Sequence, residues 1–402
     1  MKPRAIITPR KSDFGALGIA GTGVKRDQAR AIAAGRAEEK GMAGPWVLGM
    51  MSGTSLDGVD AALLRTDGEA AGEAGRTAYR PYSPPEREVL RAALGRWPGE
   101  AGVAHAARIV EDAHAEVAAG FPEAELVAFH GQTLAHDPGG RGTHQAGSGE
   151  RLAARIGRPV AWDFRSADVA AGGQGAPLVP FFHFALARRL GGGPVAFLNL
   201  GGVGNLTWAE PAAPGPEAAG AILAFDTGPA NAPIDDLLRA RRGLARDEGG
   251  ALAAVGRADG AVLAAFVRHP HFAKAAPKSL DRDAFAGLQG AVAHLADADA
   301  AATLAACAAR AVALGLALMP APPRRLIVAG GGRLNLALMG YLAAETAPVV
   351  PETAEAAGLN GDMLEAQAFA YLGMRVLRGL PLSAPGTTGV ARPMPGGRIA
   401  RP

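Results

Sequence analysis

The sequence predicts an α/β protein of two lobes, each a βββαβα unit, facing one another across a central cleft. Three observations carry this. Gly49–Asp60 and Val195–Trp208 each read as an apolar strand, a bend rich in glycine and small polar residues, and a second strand. The residues after each bend repeat one order of strands and helices, the mark of an internal duplication. Between the repeats, Gly191–Pro194 interrupts the chain where a hinge belongs.

After the first bend come a strand at Thr77–Tyr82, a helical stretch, the apolar strand Leu126–His130, a helix at Arg151–Gly157 and a strand at Pro159–Phe164. The second half answers with Ile222–Asp226, a long helical stretch, the strand Leu326–Ala329, a glycine turn, the helix Leu336–Glu345 and the strand Pro348–Pro351. Strands alternating with helices imply mixed sheets, so ligands are expected between the lobes. The lobes are set at residues 45–190 and 191–389. Residues 1–44 read as a disordered extension, the functional chain beginning near Met42, and residues 390–402 as a disordered tail rich in Pro, Gly and Arg without periodicity.

With 402 residues, 49% hydrophobic and 20% charged, the chain has room for two sizeable cores. Its net charge of +3 is local. Nine basic and four acidic residues fall in the first 44, leaving 32 basic against 34 acidic groups, a body with no nucleic-acid signature. The single Cys307 excludes an internal disulfide and a multi-cysteine zinc site, and fits a reducing compartment. It lies in the apolar helix Thr303–Met319, whose runs, broken by Arg310 and stopped by Pro320, fall short of the roughly 20 residues of a membrane span; a buried helix is expected.

The bends carry the chemistry. Small residues let backbone N–H groups approach an anion, and Ser52, Thr54 and Ser55 add hydroxyl donors, while Asp57 offers a carboxylate suited to a hydrated Mg²⁺. Asn199, Gly201, Gly202 and Asn205 form the second bend. Gly330, Gly331, Gly332 and Asn335, between a strand and a helix, would let adenosine lie against bare backbone. Each segment also fits an ordinary tight turn. Asp226 ends a buried-looking strand, the position that borders the ligand crevice in open α/β sheets. It reads either as a general base or as an Asx turn bonded to the backbone of Gly228.

In the first lobe His130 and Gln132 leave one strand, and Asp163, Arg165 and Asp168 leave the next, a wall suited to a sugar or other polar substrate. His130 fits equally a satisfied core histidine. His136 and His144 lack metal-ligand spacing, and no structural metal is expected. Asp362 and Glu365 face one side of a helix start, where carboxylates also favour the helix dipole. Lys274 and Lys278, just before Ser279–Phe285, are the two lysines beyond the N-terminal extension; a compact flexible cation there could reach a nucleotide phosphate, and a solvated loop is the simpler reading of both.

The segments MSGTSLDGVD, HGQT, DFRSADVAAGGQGAPLVPFFH, NLGGVGNLT, FDTGPAN, VAGGGRLN, GLNGDMLEAQAFAYL and PLSAPGTTG, in order over about residues 46–390, resemble the anhydro-N-acetylmuramic acid kinase family. The resemblance implies a sugar kinase/Hsp70/actin-like fold in a cytoplasmic homodimer that recycles peptidoglycan fragments. It implies that ATP and water open 1,6-anhydro-N-acetylmuramic acid to N-acetylmuramic acid 6-phosphate and ADP. The family's ATP site matches Ser52, Gly53, Thr54, Ser55, Leu56, Asp57, Gly58 and Val59, its catalytic aspartate Asp226, and its substrate-binding glutamate Glu365. Segments 144–150 and 280–281 depart from the family pattern. Another hexosamine or acetate-type kinase of the superfamily is the alternative. A sugar-responsive repressor is disfavoured, since neither a winged helix nor a cysteine-rich zinc motif is present, and an actin-like filament former fits the polar strand ends less well.

Overall fold

The computed structural model describes residues 44–280 and 282–402, so the extension predicted for residues 1–44 lies, but for Gly44, outside the described residues. The first bend joins β1 (Trp46–Ser52) to β2 (Gly58–Thr66), which pairs onward with β3 (Ala71–Pro81). β4 (Leu126–Asp137) runs parallel to β1 and forms a hairpin with β5 (Gly142–Ala146), and β6 (Val160–Trp162) lies parallel to β4. In the second lobe β7 (Val195–Leu200), β8 (Val203–Ala209) and β9 (Ile222–Pro229) form an antiparallel run. β10 (Arg325–Ala329) and β11 (Pro351–Thr353) add in parallel beyond β7. The spatial orders β6-β4-β1-β2-β3 and β11-β10-β7-β8-β9 are the same, so the duplicated unit is present in both lobes.

Apolar patterning explains the layers. β1 and β4 are buried over most of their length, as strands covered on both faces must be. One face of the first sheet is covered by the helix Val103–Ala119, through Ala106, Val110 and Ala113. The other receives the helix Leu364–Leu377, which brings Phe369, Ala370 and Leu372 back from the far end of the chain. The approach is close enough that a side chain at Gly49 would overlap the carbonyl oxygen of Ala366. In the second lobe the helix Asp297–Leu316 buries an alanine-rich surface, with Cys307 fully enclosed. It is the one described helix long and apolar enough to cross a membrane, and most of it lies inside this core.

The C-terminal expectation is corrected. β12 (Pro381–Ser383) pairs with β13 (Met394–Pro395), and β14 (Arg398–Ala400) joins the free edge of β6, with Ala400 buried. Residues 390–402 are therefore an edge-closing element, held by backbone pairing that a Pro/Gly/Arg composition does not advertise. The boundary at 190/191 also divides the chain less cleanly than predicted, since the helix Leu364–Leu377 packs on the first sheet. Arg375, 2% exposed, fastens that helix to both lobes. It donates to the carbonyls of Gly68 (2.8 Å) and Pro381 (2.6 Å) and pairs with Glu217 (3.0 Å), which lies between β8 and β9.

Candidate active site

The first bend is braced from below. The Ser52 hydroxyl donates to the Gly131 carbonyl (3.1 Å) and the Gln132 amide to the Gly53 carbonyl (3.0 Å). Leu56, at φ 61°, turns its side chain into the core, where Val59 also lies, and a side chain at Gly58 would overlap the Arg80 carbonyl oxygen. Within Ser52–Val59, then, Ser52, Leu56, Gly58 and Val59 build the bend, while Gly53, Thr54, Ser55 and Asp57 form its outward surface. Gln132, expected at the sugar wall, is fully buried as a strut beneath the bend.

The second bend is the two-residue link Gly201–Gly202. Its carbonyls accept from the N–H groups of Asn231 (3.0 Å) and Ala230 (3.3 Å), which fixes the start of the helix Ala232–Arg242. The third glycine turn nests on the second bend. At Gly330, φ is 76° and a side chain would overlap the Asn199 amide oxygen; one at Gly332 would come within 2.6 Å of Leu200. By contrast, side chains at Gly53, Gly201 and Gly202 would find no neighbour closer than 3.6 Å, and at Gly331 none within 4 Å. These four glycines leave vacant the volume that side chains would fill, a cradle suited to phosphates and a nucleoside. Asn335 is structural: its side chain caps the helix Leu336–Thr346 through the Leu338 N–H (3.0 Å) and reaches Asn231 (3.4 Å).

Asp226 lies on β9 directly opposite Asn205, where β8 leaves the second bend. Its backbone is held on both sides, the N–H by the Lys278 carbonyl (2.9 Å) and the carbonyl by His271 Nε2 (2.9 Å). Its Oδ2 accepts from the Leu280 N–H (2.8 Å), and among the described residues no donor reaches Oδ1. Burial pushes the carboxyl up to about 6, against the pull of the Leu280 hydrogen bond. The bond to Gly228 expected of an Asx turn is not formed; the strand continues through Pro229 instead. Asp226 opens onto a cavity of about 580 Å³ walled by Gln174 and Pro177 from the first lobe, Lys278 from the second, and Thr387 and Thr388.

A second polar cluster belongs to the first lobe. Arg165 donates to His130 Nε2 (3.1 Å) and to the Gly175 carbonyl (2.7 Å), and His130 Nδ1 lies 2.8 Å from the Gly131 carbonyl. Burial, with help from Arg165, holds His130 well below the ordinary histidine range, hence neutral. Burial likewise lowers Arg165 to about 10, opposed by Glu365 and Asp168. The Glu365 carboxyl, open to water on one side and walled by protein on the others, is raised by burial against the attraction of Arg165. Asp60 is raised to about 6, by burial first and then by Glu365, Asp362 and Asp57.

The remaining predicted wall residues have structural partners. Asp168 is 3% exposed and accepts from the Gly175 N–H (2.6 Å), the Thr388 hydroxyl (2.7 Å) and the Ser383 hydroxyl, tying the wall of the cavity together. Asp163 is committed to the Ser166 hydroxyl and to Arg398 of β14 (3.1 Å). Two residues beside Asp226 carry little sequence signal. His271 sits in the mixed stretch Arg268–Lys274, which matches no catalytic motif, and Lys278, read as a solvated loop residue, is instead half-buried, its ammonium donating to the His271 carbonyl (3.0 Å) and lying 5.9 Å from the Phe225 ring centre.

Two lobes of one topology, glycine bends with open space suited to an anion and a buried aspartate at a cavity lined by both lobes fit a phosphotransferase of the two-lobed, ATP-using α/β kinase class. Comparison with known proteins gives the family. The family described as Anhydro-N-acetylmuramic acid kinase matches residues 45–401, and the chain belongs to it. An anhydro-N-acetylmuramic acid kinase of Cereibacter sphaeroides is 68% identical over 359 residues, covering 89% of this chain and 96% of the relative. Those of Jannaschia sp. (58%; 89% and 95%) and Ruegeria sp. (56%; 88% and 94%) are similar over comparable spans.

Proposed function

We propose that this enzyme uses ATP and water to open the 1,6-anhydro bridge of anhydro-N-acetylmuramic acid, giving N-acetylmuramic acid 6-phosphate and ADP. The observation that carries the reading is Asp226: a carboxylate raised to about 6, inside a cavity walled by both lobes, one strand away from the second glycine bend. An ordinary carboxylate near 4 is a poor base; at about 6 it stays largely ionised at neutral pH yet binds a proton about a hundredfold more tightly.

In this mechanism Asp226 takes a proton from water attacking C1. The departing O6, a poor leaving group as an alkoxide, is captured by the γ-phosphoryl group as the bridge breaks, and oxocarbenium character at C1 reduces the basicity asked of Asp226. The backbone at Gly53, Gly201, Gly202 and Gly331, with the hydroxyls of Thr54 and Ser55, holds the nucleotide, since phosphoryl transfer depends mainly on positioning and electrostatics. Asp57, exposed at the first bend, is the residue suited to hold Mg²⁺ through water, and the ion when bound neutralises phosphate charge. Arg165, His130 and Glu365 line the sugar side. Lobe closure excluding bulk water, motivated by the duplicated halves, and a homodimer with a cytoplasmic role in peptidoglycan recycling, implied by the family resemblance, complete the reading.

Turnover in ¹⁸O-labelled water tests it. Label on the anomeric carbon of the 6-phosphate is expected; unlabelled product, or ATP consumption driven equally by N-acetylglucosamine, would replace this reading with that of a simple hexosamine kinase.

A further inference from the structure

The cavity at Asp226 carries a charge pattern that base catalysis does not use. In a chain with 35 arginines and six lysines, the two described lysines, Lys274 and Lys278, both line this cavity. Neither is paired with a carboxylate among the described residues. Lys278 uses one donor on the His271 carbonyl and keeps two, because an ammonium has three. Lys274 is exposed at the rim, and its ammonium has no hydrogen-bond partner among the described residues. Burial and the neighbouring Lys274 lower Lys278, which an anionic ligand would relieve.

Geometry sets this cavity apart from the triphosphate cradle: of the residues that form the glycine bends, Asn205 alone borders it, while Gly53, Gly201, Gly202 and Gly331 do not. The opposite wall is neutral and polar, with Gln174, Thr387 and Thr388. A space holding the base and two unpaired ammonium groups, away from the nucleotide cradle, suits a sugar that carries its own carboxylate.

We infer that Lys278, with Lys274 at the rim, forms the subsite for the lactyl carboxylate of the sugar and so selects a muramic acid over a neutral N-acetylhexosamine. The assignment rests on the function proposed above. Lys278 is a specificity residue here: a charge-assisted contact fixes the substituent at C3 and thereby turns C1 toward Asp226.

Steady-state kinetics of wild type, Lys278→Met, Lys278→Arg and Lys274→Met with ATP and either 1,6-anhydro-N-acetylmuramic acid or 1,6-anhydro-N-acetylglucosamine, which lacks the lactyl group, test this. Lys278→Met is expected to raise KM for the muramyl sugar by about tenfold or more. Its KM for ATP should stay within about twofold and its kcat/KM for the glucosamine analogue should fall several-fold less than that for the muramyl sugar, so that the wild-type preference shrinks. Lys278→Arg should restore part of it, and Lys274→Met, at an exposed position, should show the same contrast at smaller size even if Lys278→Met folds poorly. Equal losses on both sugars, an effect confined to ATP, or no effect in either methionine variant would overturn the assignment. A wild type active on the muramyl sugar without that contrast sinks this inference alone; a wild type inert toward it removes the underlying function as well.

Discussion

The two glycine hairpins are equivalent by topology and unequal in chemistry. Asp60 on β2 pairs with Met51, the penultimate residue of β1, and with Tyr79 on β3; Asn205 on β8 pairs with Asn199, the penultimate residue of β7, and with Asp226 on β9. Asp226 thus occupies the place that Tyr79 holds in the first lobe. Both lobes carry an aspartate raised to about 6, for different reasons: Asp226 by burial alone, Asp60 by burial together with three neighbouring carboxylates. The first bend spans residues 53–57 and presents hydroxyls, whereas the second is a two-residue link with open space above it. Duplication supplied a matched pair of bends, and under the mechanism proposed above the position of one carboxylate, one strand over, distinguishes the lobe that performs chemistry from the lobe that holds.

The strongest way to break this comparison is Asp226→Asn. The loss of a general base is expected to lower kcat by at least about two orders of magnitude while ATP binding, measured by calorimetry, is retained. Near-normal turnover would remove the role. Next in size is the pH profile. Asp226 must be ionised to accept a proton, so kcat/KM should fall about tenfold per pH unit below about 6 and level off above it, and the residual activity of Asp226→Asn should lack that acid limb. An acid limb that survives in the variant assigns the titration to another group.

Asp60→Asn sharpens the contrast at smaller size: a loss in kcat of no more than about tenfold, with the acid limb unmoved, against the larger effect expected for a general base. Its stability effect has a definite sign. A carboxyl raised above its unfolded value favours the protonated form, so its stabilising contribution is present below about 4 and lost as pH rises through about 6. The variant should therefore melt higher than wild type at pH 7.5 and show little difference at pH 4, by calorimetry. A lower melting temperature at pH 7.5 would mean that Asp60 has a cationic partner in the folded state. The smallest effect is expected from truncation after Pro395, which removes β14 and the Arg398–Asp163 ion pair: a modest fall in melting temperature, with KM for ATP unchanged.

Much of this was legible in the residues because glycine bends, apolar strands and their repetition are local signals. The bends at 49–60 and 195–208, the strands around 126–130 and 326–329, and the helix after Asn335 all follow from short-range patterns. What escaped depends on tertiary partners. β5 is polar and exists because β4 offers it an edge, and β14 is three residues of a Pro/Gly/Arg segment that β6 completes. The commitments of Gln132, Asp163 and Asp168 to their own chain depend on residues 79, 235 and 220 positions away, respectively, which no spacing rule can reach. Lys278 looked solvated because a lone charge in a loop is usually exposed, while its neighbours in space are Phe225 and the His271 carbonyl.

The return of Leu364–Leu377 and β14 to the first sheet bears on how the molecule is made. During synthesis the strands β1, β2 and β4 emerge early, yet one apolar face and one open edge of their sheet wait for residues beyond 363. The amino-terminal lobe cannot mature on the ribosome ahead of its partner, as independent domains usually do. It stays incomplete until residues 364–400 have emerged, and in that interval the first sheet keeps an apolar face and an open edge exposed.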